Sequence, residues 1–280
     1  MANNEAEHAS GKYNVSNEDT LFSVGDGIDD DNRHNAFEIT KTGGKLHDKD
    51  IATMGNISNP NLLINPDFRI NQRGISGTFS DTGKYFVDRW RLVTGTVTVN
   101  SDGTLTLNGS ICQPLENAVR LNVTASVSAG TAVYDNTTQT FTITGNGDVI
   151  SWAKLEYGNA ATTFTPPDPA TELLKCMRYY EKIVCAKDMY NVASQYFNNL
   201  RDCVFSIPMA PKRVPHPTSG IDYSVMSYIN SENVVAVSSA YANEYTVNSV
   251  SIVAALSSPT TVCTHGWVVG FTIEIDAEIY

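Results

Sequence analysis

The residues best suited to chemistry lie towards the C-terminal end of the chain. Tyr223, Tyr228, Tyr241, Tyr245, His265 and Trp267 are interspersed there with Asn230, Asn233 and Asn243. Sugar recognition uses this mixture, because aromatic faces cover the C–H side of a sugar ring while planar amides fix its hydroxyls. We therefore expect a carbohydrate-binding surface built on Trp267, His265, Tyr228 and Asn230. Trp267 follows His265-Gly266, where a turn would expose its ring. It also fits the core face of a strand over Val262–Val269, since tryptophan is highly buried on average. The sequence leaves both readings open. Trp90 and Trp152 sit inside strand patterns and are read as core.

Other chemistry is harder to place. Asp26, Asp29, Asp30 and Asp31 form an acidic turn that invites calcium, but the spacing is not D-x-[DN]-x-[DN]-G-x5-E. A solvated turn is the better expectation, and no metal is assigned. The chain has no P-loop, no G-x-S-x-G elbow and no H-E-x-x-H, and its five histidines are scattered. A glycosidase pair is defined by carboxylate separation, which a sequence does not give. We expect a non-enzymatic protein with no catalytic residue and no cofactor. Cys112, Cys176, Cys185, Cys203 and Cys263 are odd in number and contain no C-x-x-C, so buried reduced thiols are expected, as in a reducing cytoplasm. Arg89 beside Asp88 reads as a structural ion pair or rim hydrogen bond, and Tyr179-Tyr180 as a packing surface.

Charge narrows the partners. The net charge of −11 argues against nucleic acid, whose phosphates need basic patches. Residues 1–60 hold 11 Asp/Glu against 5 Lys/Arg, so −6 of it sits in the N-terminal arm. Met1–Ser10 is polar without an apolar stretch, and no run of about eighteen apolar residues occurs, so neither a signal peptide nor membrane insertion is expected.

The elements that must position these residues are mostly strands. Thr96–Asn100 and Thr104–Asn108 flank Ser101-Asp102-Gly103, a hairpin with glycine where φ > 0 is tolerated. Val97, Val99, Leu105 and Leu107 share its apolar face. Val119–Val127 alternates, and Phe141 and Ile143 alternate with threonines before a turn at Gly145-Asn146-Gly147. Leu21–Val24 and Ala36–Ile39 read as paired strands around the loop Gly25–Arg33. Residues 1–19 are expected to lack regular structure, and His47–Pro60 to be a linker. The ending is the cleanest pattern: Phe271, Ile273, Ile275, Ala277 and Ile279 alternate with Thr272, Glu274, Asp276 and Glu278. One helix is expected after Pro166-Pro167, with Asp168 as N-cap, Pro169 in the first turn, and Leu173, Met177, Tyr180 and Val184 as its apolar stripe. Frequent turns between short strands predict a mainly β protein, with antiparallel β-sandwich (jelly-roll-like) domains joined by one short helix and a small N-terminal β shaft or attachment unit. The domains expected are 1–60, 61–166 and 167–280.

Three stretches carry a family resemblance. Residues 61–74 (NLLINPDFRINQRG), Asp88-Arg89-Trp90, and the segment 152–182 (WAKLEYGNAATTFTPPDPATELLKCMRYYEK) resemble motifs of phage and prophage tail-fibre proteins. Residues 22–27 (FSVGDG), 35–41 (NAFEITK) and the ending Ile-Asp-Ala-Glu-Ile-Tyr are similar to shaft units and termini of such fibres. The resemblance implies a virion tail protein made in the host cytoplasm. It would be a receptor-binding homotrimer, joined to other tail or baseplate proteins through its N-terminal arm and attaching to a bacterial surface glycan. Two alternatives stand beside it: a purely structural decoration protein of a virion or tail-like particle, and a polysaccharide depolymerase.

Overall fold

The structure is a computed structural model of the 280-residue chain. It describes residues 7–41, 43–51, 58–117, 119, 122–185, 192–194, 196–199, 202–215, 217–229, 234–257 and 266–279. The fold is mainly β, with several antiparallel sheets and, among the described residues, one helix. It divides into two compact units, residues 1–59 with 160–164, and residues 60–159 with 165–280. The boundary expected at 166/167 does not separate units: the two β-rich halves on either side of the helix belong to one.

The first unit is a five-stranded sheet, β1 (His8–Lys12), β2 (Thr20–Asp26), β3 (Asn35–Thr40), β4 (Gly43–Leu46) and β5 (Lys49–Asp50), in sequence order. The β2–β3 hairpin forms as the alternation predicts, with Val24 opposite Phe37 and Phe22 opposite Ile39. Two expectations change. Residues 8–12 are a strand, parallel to β2, and the expected linker, His47–Pro60, begins with the turn and second strand of the β4–β5 hairpin. Parallel neighbours ordinarily need a long crossover. Here a short connection suffices because two buried amides hold it. Asn14 donates to the Ser10 carbonyl (2.8 Å) and Ser23 Oγ (3.1 Å), while Asn35 exchanges two bonds with the backbone of Val15. Gly11 (φ +87°) lets the strands close up, since a Cβ there would lie 2.2 Å from the Gly25 carbonyl oxygen.

In the second unit, one half contains β6 (Gly77–Phe79), β7 (Tyr85–Val87), β8 (Trp90–Val99), β9 (Leu105–Pro114), β10 (Val123–Val127), β11 (Thr131–Asp135), β12 (Thr140–Ile150) and β13 (Ala153–Tyr157). The order β11-β12-β9-β8-β6 forms one sheet, with β7 also on β8, and β10 pairs β13. The β8–β9 hairpin is the expected one: Val97 faces Leu107, Val99 faces Leu105, and Val97, Leu105 and Leu107 are fully buried. They join Trp90, Leu92, Phe141 and Leu155 in one apolar core. Gly145-Asn146-Gly147 is not a turn. β12 runs through it with a bulge between Asn146 and Asp148, because β9 continues to offer it a hydrogen-bonding edge.

Helix α1 (Pro169–Met177) starts as its sequence dictates: Asp168 Oδ1 accepts from the Thr171 N–H at 2.8 Å, and proline occupies the first turn. Its buried face, however, is Glu172 and Cys176, while Leu173 and Leu174 are exposed. The expected stripe fails because the chain turns after Met177. Tyr180 and Val184 therefore belong to β14 (Tyr180–Cys185), not to the helix.

The other half holds β15 (Val192–Ser194), β16 (Tyr196–Asn199), β17 (Asp202–Pro208), β18 (Thr218–Asp222), β19 (Ser227–Ile229), β20 (Val234–Tyr245), β21 (Ser249–Leu256), β22 (Gly266–Val269) and β23 (Phe271–Asp276). β14-β23-β18 form one sheet, and β15-β22-β19-β20-β21-β17-β16 another. The strongly alternating β23 lies at the centre of its sheet, with Phe271, Ile273 and Ile275 buried in a second apolar core beside Phe205, Ile252 and Val268.

Candidate functional site

Of the four residues expected to bind sugar, Tyr228 alone has its side chain among the described residues. Tyr228 lies on β19 with no exposed surface, packed in the second core. A ring without a free face cannot stack on a sugar, so Tyr228 is corrected to a core residue. The backbone of Trp267 is in β22, opposite Ala193 on one side and Ile229 on the other; its side chain lies outside the described residues, as do His265 and Asn230.

Instead, the stretches that carried the resemblance converge. Asn65 takes a left-handed conformation (φ +53°) and is fully buried. Its side chain bonds the Ile70 N–H and carbonyl and the Asp88 carbonyl. Its own carbonyl accepts from Trp90 Nε1 at 2.8 Å, and its N–H donates to Glu172 on α1 at 2.7 Å. Gln72 binds both oxygens of Asp88 (2.7 and 2.8 Å) and donates to the Tyr180 carbonyl. Asp88 and Arg89 make the two-residue turn between β7 and β8, with Arg89 left-handed at φ +70°. From that turn the Arg89 guanidinium reaches Glu278, bonds the Pro114 carbonyl, and lies 3.7 Å over the Tyr179 ring. Arg73 lies 3.7 Å over Tyr180 and 3.5 Å from Glu278 Oε1. Tyr85 donates to the Ile279 carbonyl, and Arg213 to the carbonyls of Ala277 and Glu278.

This is a buried ionic joint between the halves of the unit. Arg89 and Glu278 are each essentially sealed from solvent, so their charges must be satisfied by each other. Arg89 therefore pairs with Glu278 rather than its neighbour Asp88, and the tyrosine pair packs, as expected. Burial pushes the Asp88 carboxyl up to about 6, against the opposing pull of the Gln72 amides and Arg73. Burial draws Arg89 down, but Glu278, Tyr85 and Tyr179 together outweigh it and the net shift is upward. A raised carboxyl suggests acid–base chemistry. Here both oxygens of Asp88 are held by Gln72 and the side chain is 1% exposed, which leaves no approach for a substrate.

Beside the joint is a half-open pocket of about 280 Å³, lined by Leu62, Ile64, Arg89, Gln113, Leu115, Glu116, Asn117, Val119, Tyr157 and Tyr179. That is near the low end of the roughly 300–1,000 Å³ of small-molecule sites. Strand ends build it: β9 leads into Leu115–Asn117, and β13 ends at Tyr157, which is 44% exposed. Gln113 is spent on the Ile64 backbone. Glu116 accepts from Arg178 (2.7 and 3.3 Å) and from Tyr179 Oη (2.8 Å); the Arg178 hydrogen bonds hold its carboxyl below the ordinary range, with burial opposing. A carboxylate, an amide and an exposed aromatic ring thus stand around one concavity. A second cavity of about 540 Å³ lies against Met209, Lys212, Arg213, Val214, Pro215, Tyr245, Thr246 and Val247. Of the aromatic residues first singled out, Tyr245 lines it.

Sequence reasoning missed the first pocket because its walls come from five separate stretches. The only advance signal was Tyr157 next to Gly158 at a strand end. Comparison of the chain with protein-family models, curated proteins and solved structures gives no match.

Proposed function

We propose that the protein is a phage or prophage tail-fibre protein that attaches the virion to a bacterial surface glycan by binding rather than catalysis. In this reading each half of the larger unit is an antiparallel β-sandwich of jelly-roll type, and the N-terminal unit joins other tail or baseplate proteins. The observation that carries it is the pocket in which exposed Tyr157 stands with Asn117 and Glu116, the residue types that a sugar's ring face and hydroxyls require. The resemblance motifs add to it. So does the N-terminal unit, where Ile28 (81%) in the β2–β3 loop and Leu46 (54%) and Ile39 (40%) in the sheet are exposed and suit burial in a homotrimer. Three weak sites on one trimer would gain avidity without new contacts.

A glycan array probed with the full-length protein tests this. We expect a saccharide-dependent signal that Tyr157→Ala weakens at least about tenfold, or ~1.4 kcal/mol, while stability stays within about 0.5 kcal/mol. Loss of signal with Trp267→Ala alone would move the site to the C-terminal loops. New reducing ends from capsule or teichoic acid would instead indicate a depolymerase. A stable monomer by solution mass measurement would remove the trimer. One observation favours the rival reading, a purely structural particle protein: Asn65, Asp88, Arg89 and Trp90 of the motifs are consumed by the buried joint. A blank array would support it.

A further inference from the structure

We propose that Asp26, His34 and His47 form a site for one divalent transition-metal ion, of which zinc is the reference case, clasping three segments of the N-terminal unit. One donor atom from each lies within 4.8 Å of the others. His34 Nδ1 is 2.5 Å from Asp26 Oδ1, and His47 Nδ1 is 3.6 Å from Asp26 Oδ2. With metal bonds of about 2.0–2.2 Å, the donors of a tetrahedral centre stand roughly 3.3 Å apart. The two separations, made to the two oxygens of Asp26, bracket that value, and with all three donors within 4.8 Å side-chain rotations would complete the triangle. The fourth position faces solvent, since all three side chains are at least a third exposed. Two imidazoles with one carboxylate suit zinc, nickel, copper or cobalt rather than calcium, which seeks oxygen alone.

Two further features point the same way. Asp48 Oδ2 lies 3.1 Å from His34 Nε2, on the side of the ring away from Asp26. A carboxylate behind a histidine fixes its tautomer and aims the other nitrogen, the arrangement that supports metal-binding imidazoles. The His34 and His47 rings also stack nearly parallel, 5.9 Å between centroids and 14° apart. His47 and Asp48 are the whole of the two-residue β4–β5 turn, and both have positive φ (46° and 61°). Asn-Gly or Asp-Gly is the usual choice for such a turn. A histidine held there places a donor at a conformational cost that its packing does not repay, as His47 is exposed. The ligands come from the end of β2, the loop before β3 and the β4–β5 turn. A bound ion would therefore tie three segments of a sheet that, among the described residues, lacks an apolar core of its own.

The test uses full-length protein without an affinity tag, stripped with EDTA and titrated calorimetrically with zinc chloride. Visible absorption of a cobalt(II) derivative reports geometry. We expect one ion per chain and a tetrahedral cobalt spectrum. His34→Gln and His47→Asn should each weaken zinc at least 100-fold, and Asp48→Asn about 10–100-fold. His47→Asn is decisive for folding, because asparagine tolerates the left-handed turn at an exposed position. No saturable zinc heat, or binding unchanged in both histidine variants, would overturn the proposal.

Discussion

In the N-terminal unit the described buried side chains are polar, among them Asn14, Thr20, Ser23 and Asn35, and no hydrophobic side chain among the described residues there is buried. The larger unit has two apolar cores, one around Trp90 and Phe141 and one around Phe205 and Ile273, and places an ionic joint between its halves. Both rely on buried hydrogen bonds, but for different ends. In the small sheet, amides hold a short parallel connection that hydrophobic burial does not fix. In the larger unit the cores supply the driving force, and the joint selects which strand ends meet. A sheet without a core has to find its stability elsewhere, in a partner chain or an ion.

The largest effect should come from removing a charge at the joint. Arg89→Met leaves the buried Glu278 carboxylate with Arg73 as its remaining ion-pair partner among the described residues, and the cost should fall at the lower end of the roughly 3–5 kcal/mol for a broken buried pair. Arg89→Met with Glu278→Leu should recover most of it. Urea denaturation checks both, and a single-variant loss below about 1 kcal/mol would show that the joint is not an essential pair. In the small unit, Asn14→Ala removes the buried bonds to Ser23 as well as that to the Ser10 carbonyl and should cost ~1–3 kcal/mol. Hydrogen exchange should speed up over residues 8–26 while the larger unit keeps its protection; a global change would contradict the separation of the units.

The smallest effect is a pH dependence. The folded pKa of Asp88, about 6, lies above its ordinary 3.8, so the folded state holds the proton more tightly. Its stabilising share is complete below about pH 4 and disappears as pH rises through 6. Between pH 5 and 7.5 this costs about 1 kcal/mol. Asp88→Asn should lack that share, so the wild-type loss over this interval should exceed the variant's. Equal losses would mean that Asp88 is already ionised at pH 5.

Much of the strand structure could be read in the sequence, because alternation, turn glycines and caps act over a few residues. Val97, Leu105 and Leu107 were placed correctly on one face, Asp168 on its helix, and Phe271–Ile275 on a core. The helix stripe could not be read so well. Leu173, Met177, Tyr180 and Val184 keep helical spacing, yet pairing with β23 draws the last two into a strand. Tyr228 could not be told from a surface aromatic, since strand alternation gives a period but not which face is covered. The pocket at Tyr157 and the cluster at His34 were invisible, because their members meet through sheet pairing rather than spacing.

The sequence by itself determined a mainly β chain, its strand periods, the capped helix at Pro169–Met177 and the short motifs that proved to matter. Tertiary structure decided what those motifs are for. Arg89 and Glu278 lie 189 positions apart, and nothing local to either residue names its partner. Local preferences depend on neighbours along the chain. A buried charge, by contrast, is stable only beside an opposite charge, and that neighbour is supplied by the path of the folded backbone.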